Sequence, residues 1–545
     1  MNRRGSIGYL ISMLLTDGYK ISHHLMYPAG TRRVFSNFTP RNLKYMPDEA
    51  KEICVFGTQF VFMYIVDHFE KNFFSQNKEE VLCELKRVFS SYSGTDYDVS
   101  HFGKLHDLGY LPIEVRALEE GTISKAQVPT LVYYNTIDEF FWIVNFLESL
   151  ISTLMWKPMH SASMAYGFRK ILRAAALDTD RHNVDVINFQ MHDFSFRGMQ
   201  AVESAFSSAM GFSVCSLGSD TLPVLWANEY YYFTPDSVFS IPASEHAVAT
   251  AYGPENEEDG FRRILNIYNT GFVSLVSDSY DFWKIHTETI YNLREQILAR
   301  DGVTRVVFRG DSGNPPDIIC GFEYVEIEDI HLLETYNAPK VVFCKTSQKY
   351  YETRVYDDGH KLRFNLNELS EAQIKGQIEL LWDCFGGSVN DQGYKVLNPK
   401  VGAIWGDGIN FKNMTEIIAR LKSKGFASTN IVFGIGSYSL GYATRDQQGT
   451  ACKATWVMVY DEAREIYKDP VTDHGKKSAK GLLVVYLDEN GEVYLKDQAT
   501  WEEVFSEENQ LKLIFRNGDF VRTTTLTRIR EKLREHESIL STETN

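Results

Sequence analysis

Short apolar runs rich in Val, Ile and Phe recur through the middle of the chain, and polar or glycine-rich residues follow each one. The pattern predicts strands at Val184–Phe189, Ser213–Leu217, Ser237–Ile241, Phe272–Val276, Arg305–Phe308, Val401–Ile404 and Asn430–Phe433. Helix-length segments separate most of them, which predicts parallel strands covered by helices, as a barrel or an open doubly wound sheet. The residues after the strands favour the barrel. In order they read H-D-F-S-F-R-G, G-S-D-T, P-A-S-E-H, S-D-S-Y-D, R-G-D-S-G-N-P, W-G-D-G and G-I-G-S-Y-S. Polar tips gathered at one end of successive strands are what a barrel with its site at the carboxyl ends requires. The glycine-rich last tips suit a phosphate cradle, where backbone N–H groups come close to an anion.

The flanks have a different texture. Residues 1–160 mix helical patterns with β-rich runs at Arg33–Thr39 and Thr130–Tyr134, and Tyr110–Val115 reads as a strand edge or turn around Pro112. Ile7–Leu15, behind Arg3 and Arg4, lacks a cleavage pattern and is expected to be a first buried element. The apolar stretch Phe140–Trp156 contains Asn145 and Glu148; it predicts a core helix ending before Pro158 and no membrane span. Residues 161–454 form the expected catalytic barrel, interrupted at 321–375 by alternating residues around Asp358-Gly359, the signature of a β-hairpin insert. Residues 455–545 turn β-like again at Gly481–Tyr486 and Glu492–Leu495, then close on an amphipathic helix through Leu526, Ile529, Leu533 and Leu540. The expected fold is an incomplete seven-stranded α/β barrel with an α+β, β-rich domain built from both ends of the chain.

Composition narrows the function. A formal charge of −16 over 545 residues argues against nucleic acid as a partner, since phosphate backbones need a basic footprint. Seven scattered cysteines without a C-x-x-C pair suit reduced thiols in the cytoplasm and give no zinc site. Against the acidic background, the stretch 468–480 is basic.

The strand tips bring together cations (Arg197, Arg309, Arg445, with Lys453 and Lys468 beyond them), carboxylates (Asp220, Asp278, Asp311, Asp407), Phe194, Phe196 and His246. Arginine forks and lysine charges suit phosphate oxygens, carboxylates suit ribose hydroxyls or an amide, and aromatics suit a flat ring. The set points to a phosphorylated sugar reacting with a flat base. Singly, each residue has a structural reading as salt bridge or core; the shared position after strands favours a site. His246 closes V-F-S-I-P-A-S-E-H, a strand that ends at Pro242 and turns into a helix start.

Nine strings carry a resemblance in collinear order: T-D-G-Y-K (16–20), H-D-F-S-F-R-G (192–198), G-S-D-T (218–221), S-I-P-A-S-E-H (240–246), V-S-D-S-Y-D (276–281), R-G-D-S-G-N-P (309–315), G-D-G (406–408), T-R-D (444–446) and K-D-P-V (468–471). With them the chain resembles the nicotinamide phosphoribosyltransferase family of type II phosphoribosyltransferases. The resemblance implies formation of nicotinamide mononucleotide and pyrophosphate from nicotinamide and phosphoribosyl pyrophosphate, with Mg²⁺ on the pyrophosphate. It also implies a homodimer with shared active sites, and ATP as co-substrate phosphorylating His246. By the same match, Arg197, His246 and Arg309 face the diphosphate. Asp311, Gly406, Asp407, Gly436, Ser437 and Arg445 hold the ribose and its phosphate. Phe194 and Tyr19 of the partner subunit sandwich the base. Asp17, Arg41, Lys453, Lys468 and Lys476 lie nearer the pyrophosphate. Asp220 implies the amide rather than the acid, because a carboxylate accepts from an N–H and repels nicotinate. Ser437, Phe196, Gln190 and Leu482 depart from the family's usual glycine, tyrosine, lysine and arginine. The rival readings are a nicotinate phosphoribosyltransferase and a catalytically idle binding relative.

Overall fold

Six short strands of the middle region pair in parallel in the computed structural model, which describes residues 7–336, 339–357, 362–468 and 478–543. They are β1 (Met191–Asp193), β2 (Gly218–Ser219), β3 (Phe272–Val276), β4 (Arg305–Gly310), β5 (Val401–Trp405) and β6 (Ile431–Ile435). Their order is β2-β1-β6-β5-β4-β3, every pair parallel. Between the two edges runs the segment that precedes His246. It makes two isolated bridges, Phe239 to Gly218 and Ala243 to Ser274, instead of the strand expected at Ser237–Ile241. Pro242 explains the interruption: it has no N–H, so it only accepts, from the Ser274 N–H at 2.8 Å, while the Ser244 N–H reaches the Ser274 carbonyl at 3.0 Å.

Two other expected strands are displaced along the chain. Val184–Phe189 lies in helical turns at Arg181–Val186 and Ile187–Gln190, because Val184 and Ile187, three apart, turn to the same core. Ser213–Leu217 is the end of helix Val202–Ser213 and a buried turn in which the Ser216 hydroxyl bonds the Met191 carbonyl and the Gly218 N–H. The apolar helix also runs past its expected end, from Ile143 to Thr179 through Pro158. Gly211 and Gly57 make room for that proline: a Cβ on Gly211 would lie 2.1 Å from the Pro158 carbonyl, and one on Gly57 2.8 Å from its ring.

Both ends of the chain share a second, seven-stranded sheet. Its order is Glu462–Glu465, Ala451–Val459, Thr31–Thr39, Leu131–Asn135, Ile113–Ala117, Lys512–Arg516 and Asp519–Phe520, all antiparallel. Ile113–Ala117 is therefore an interior strand, not the edge or turn expected around Pro112. The closing helix Leu526–Glu543 buries Leu526, Ile529 and Leu533, and its Glu537 pairs with Arg169 of the long helix at 2.7 Å. The insert is a four-stranded sheet, Val325–Ile327, Val341–Cys344, Lys349–Asp357 and Leu362–Leu369, with small apolar clusters of its own. Its turn at Asp358-Gly359 lies outside the described residues, as do Lys476 and most of the basic stretch 468–480. Among the described residues, no helix is long and apolar enough to cross a membrane.

Candidate active site

The strand tips converge as their sequence position requires. His246 opens the short helix His246–Thr250 directly after the bridging segment, and Asp278, Arg309 and Asp311 follow β3 and β4. The His246 ring lies between two polar groups: Nδ1 is 3.1 Å from the Ser279 hydroxyl and Nε2 is 3.3 Å from Asp311 Oδ1. Asp278 Oδ1 lies 3.9 Å from the same Nε2. Arg309 donates to Asp311 Oδ2 at 2.8 Å, and the Asp311 N–H donates to Asp278 Oδ2 at 2.9 Å. Burial by itself raises the Asp311 carboxyl. The Arg309 hydrogen bond and charge, with the His246 contact, outweigh it and hold the group below the ordinary carboxylate range. Gly406, after β5, is needed at this point, since a Cβ there would meet Arg309 Nε at 2.9 Å and the Asp311 side chain at 3.2 Å. Asp407 beside it is exposed, its carbonyl accepting from the Trp405 indole at 2.7 Å.

One side of this cluster opens into a cavity of about 320 Å³ down the inside of the parallel sheet. Phe194 stands at its upper wall with the Arg309 guanidinium 5.7 Å from its ring, and Gly434 leaves the space that ring fills. Asp220 faces the same cavity. Its Oδ1 accepts from His192 Nε2 at 3.0 Å and from the Ser240 hydroxyl, and among the described residues no protein group bonds Oδ2. Burial pushes the Asp220 carboxyl up, but His192, Ser240 and the Arg309 charge pull it net downward, so it is an anion at neutral pH.

A second group of expected residues lies elsewhere. Asp17, Tyr19, Arg41, Arg445 and Lys453 line a separate pocket of about 400 Å³ with Lys20 and Glu148, sharing no wall residue with the first cavity. Burial and the neighbouring Arg445 lower Arg41; burial, with Arg41, Lys468 and Lys20 nearby, lowers Lys453. This is a cation cluster short of anions. Tyr19 is 62% exposed and stacks on no base-binding residue of its own chain. Lys468 and Arg197 are both exposed. The turn carrying Arg197 packs on the loop after β6: Gly198 lies so close that a Cβ would sit 2.0 Å from the Ser437 hydroxyl, while Gly436 faces open space.

His192, Ser240 and Ser279 belong to the site and were not singled out as such. All three lie inside the motif strings, which is the signal the sequence carries for them. Among the described residues, His246, Asp278 and Asp311 form a group with ligand atoms within 4.8 Å of one another that could hold a metal ion. Asp278 Oδ1 in it is buried without a hydrogen-bond partner.

Comparison with known proteins shows the family. Residues 189–503 match the nicotinate phosphoribosyltransferase (NAPRTase) family, and residues 12–115 match the nicotinamide phosphoribosyltransferase N-terminal domain. The chain is 37% identical over 529 residues to the nicotinamide phosphoribosyltransferase of Acinetobacter baylyi, covering 95% of this chain and 96% of that one. It is 30% identical to that of Xanthomonas campestris pv. campestris, covering 96% and 98%. In fold it is similar to the nicotinate-nucleotide pyrophosphorylase of Pyrococcus furiosus, with TM-score 0.53, 14% identity and 99% of each chain covered. It is also similar to human nicotinic acid phosphoribosyltransferase, with TM-score 0.51, 14% identity and 96% and 94% covered. The family matches and the identity along nearly the whole length show that the chain belongs to the nicotinate and nicotinamide phosphoribosyltransferase family.

Proposed function

We propose that this protein transfers the 5-phosphoribosyl group of phosphoribosyl pyrophosphate to nicotinamide, giving nicotinamide mononucleotide and pyrophosphate in NAD salvage. The observation that carries the choice of base is Asp220, an anion that lines an aromatic cavity, held by His192 and Ser240 on one oxygen while no group among the described residues bonds the other. That oxygen accepts from an amide N–H and opposes a second carboxylate. Phe194 supplies one stacking face. Tyr19 supplies the other from the partner subunit of a homodimer, which fits its exposure and its place in a separate pocket.

As the ring nitrogen bonds the anomeric carbon and the C–O bond to pyrophosphate breaks, the ribose becomes cation-like and the leaving group gains negative charge. Arg309, Arg197 and His246, with Arg41 and Lys453 of the second pocket and Lys468 near Lys453, are cations or donors for those oxygens. Asp311, Gly406 and Asp407 take the ribose, and Gly436, Ser437 and Arg445 its 5-phosphate. Asp278 and Asp311 fit a Mg²⁺ brought in on the pyrophosphate, the free Asp278 Oδ1 being the supporting observation. The ion would offset phosphate charge. His246, held between Ser279 and Asp311, is the acceptor for the γ-phosphoryl group of ATP as co-substrate. We read the parallel sheet and the segment before His246 as an incomplete seven-membered barrel spanning 161–454, with residues 1–160 and 455–545 forming the β-rich domain. A cytoplasmic location suits seven unpaired cysteines.

The test is mononucleotide formation from nicotinamide, nicotinate or no base, with and without ATP. Nicotinamide should be strongly preferred and ATP should stimulate; equal use of nicotinate overturns the role of Asp220. His246→Ala should abolish the ATP effect, and an undiminished effect would sink the phosphoryl-acceptor role.

A further inference from the structure

Lys157 is a lysine in an unusual place. It sits midway along the helix Ile143–Thr179, 3% exposed, and its ammonium donates to the carbonyl of Leu440. Leu440 ends the single helical turn Ser437–Leu440 that follows Gly436, with its own N–H on the Gly436 carbonyl at 3.2 Å. The lysine therefore lies directly beneath the loop assigned above to the 5-phosphate. Its position is fixed rather than incidental. The adjoining Pro158 is clasped by Gly57 and Gly211, neither of which has space for a Cβ.

The charge is poorly compensated. Among the described residues, the charged side chain facing it is Asp193 at the tip of β1, which already accepts from the Ser195 N–H at 2.9 Å and the Ser219 hydroxyl at 3.2 Å. His160, one turn along the same helix, is buried and pushed down to about 3, so it is neutral. Helix Val202–Ser213 presents Gly211 to Pro158, and the 436–441 loop presents a carbonyl. Burial outweighs Asp193 and lowers Lys157 to about 7. A buried ammonium with one acceptor, the Trp156 ring 5.7 Å away and one carboxylate already engaged by two donors is a charge awaiting an anion.

We propose that Lys157 is a positioning residue for the phosphoribosyl substrate: its buried ammonium anchors the 436–441 loop from beneath, and the loop's grip on the 5-phosphate depends on Lys157 holding its proton. The inference rests on the reaction and the phosphate loop proposed above. Bound phosphate stabilises the ammonium and the ammonium stabilises bound phosphate, so above neutral pH substrate binding takes up a proton at Lys157. The lysine does not touch the reacting atoms, and its loss falls on KM rather than on kcat.

The experiment measures KM and kcat for phosphoribosyl pyrophosphate at saturating nicotinamide between about pH 6.5 and 9, in the wild type, Lys157→Arg and Lys157→Met. In the wild type KM should rise about ten-fold, equivalent to about 1.4 kcal/mol, with a much smaller change in kcat. Lys157→Met should show the high KM at every pH, and Lys157→Arg a low KM without the rise. Substrate ionisation is common to all three and cancels in the comparison. A wild-type pH profile of KM in Lys157→Met overturns the proposal; should that variant not fold, the same profile in Lys157→Arg does so. If the wild type makes no mononucleotide at any pH, the proposed reaction fails and takes this inference with it. An active wild type with unaltered variant profiles sinks the inference alone.

Discussion

Replacing Asp220 by asparagine changes one charge and almost no volume, and the structure defines what the change does. Oδ1 of Asp220 is engaged by His192 and Ser240. An asparagine oxygen can keep both partners, which places the amide nitrogen where Oδ2 faced the base. The anion proposed to accept from nicotinamide is thereby exchanged for a donor. Two like charges about 4 Å apart at an effective dielectric near 20 repel by about 4 kcal/mol. Asp220's side chain is 45% exposed before substrate binds, so solvent screening reduces this to about 2 kcal/mol. At 1.36 kcal/mol per decade, kcat/KM for nicotinate should therefore rise roughly 30-fold. Nicotinamide exchanges a charge-assisted hydrogen bond for a neutral contact, a loss of about 1 kcal/mol, or roughly five-fold. The selectivity ratio should thus collapse by about two orders of magnitude. The assay is kcat/KM for each base at saturating phosphoribosyl pyrophosphate, with product identified as mononucleotide or its acid. An unchanged ratio in Asp220→Asn would refute electrostatic selection at this carboxylate.

Other outcomes follow from packing and burial. Gly198→Ala places a methyl 2.0 Å from the Ser437 hydroxyl, so the phosphate loop or the Arg197 turn must move; KM for phosphoribosyl pyrophosphate should rise about ten-fold or more, and an unaltered KM would show that neither element holds the phosphate. His101 and His160 are pushed by burial to about 3 and His286 to about 4. These folded values lie below the unfolded value of about 6.5, so each histidine contributes full stability above about pH 6.5 and loses it as pH falls toward 3 or 4. At about pH 5 the loss is up to about 2 kcal/mol each. Thermal midpoints should fall between about pH 7.5 and 5, less steeply in His286→Gln; a flat wild-type profile counts against these buried neutral rings.

The chemistry was more legible in the chain than the secondary structure that presents it. Six of the seven polar tips close or follow a parallel strand and the seventh follows the bridging segment before His246, yet two of the strands lie displaced along the chain from where their apolar runs suggest. The reason is local competition. Val184–Phe189 is β-branched and aromatic, but Val184 and Ile187 reach the core at helical spacing, and sheet pairing begins only at Met191. Pro158 reads as a helix terminator, and the helix continues where two glycines remote in sequence make room for the proline, Gly57 at its ring and Gly211 at its carbonyl. Neither tertiary arrangement has a signature within a short window. Lys157 was invisible for the same reason: a lysine beside a proline reads as surface until the fold buries it under a loop 283 residues away.

The division of the expected residues between two pockets is the most informative departure. His246, Asp278, Arg309 and Asp311 meet at the parallel strands, whereas Asp17, Tyr19, Arg41, Arg445 and Lys453 gather where the long helix crosses the antiparallel sheet. A single chain thus offers carboxylates and a stacking face in one place, and surplus cations with an exposed aromatic in another. Each has what the other lacks for a substrate bearing phosphate, ribose and a flat base. Lys453 and Arg41 are lowered partly by other cations, which is the mark of a cluster built to receive a polyanion. In the homodimer proposed above, the second pocket of one copy would lie against the strand tips of the other and satisfy both deficits, so that each copy would contribute to two sites. That arrangement also gives Tyr19 its ring to stack on, and it makes activity concentration-dependent wherever subunits separate.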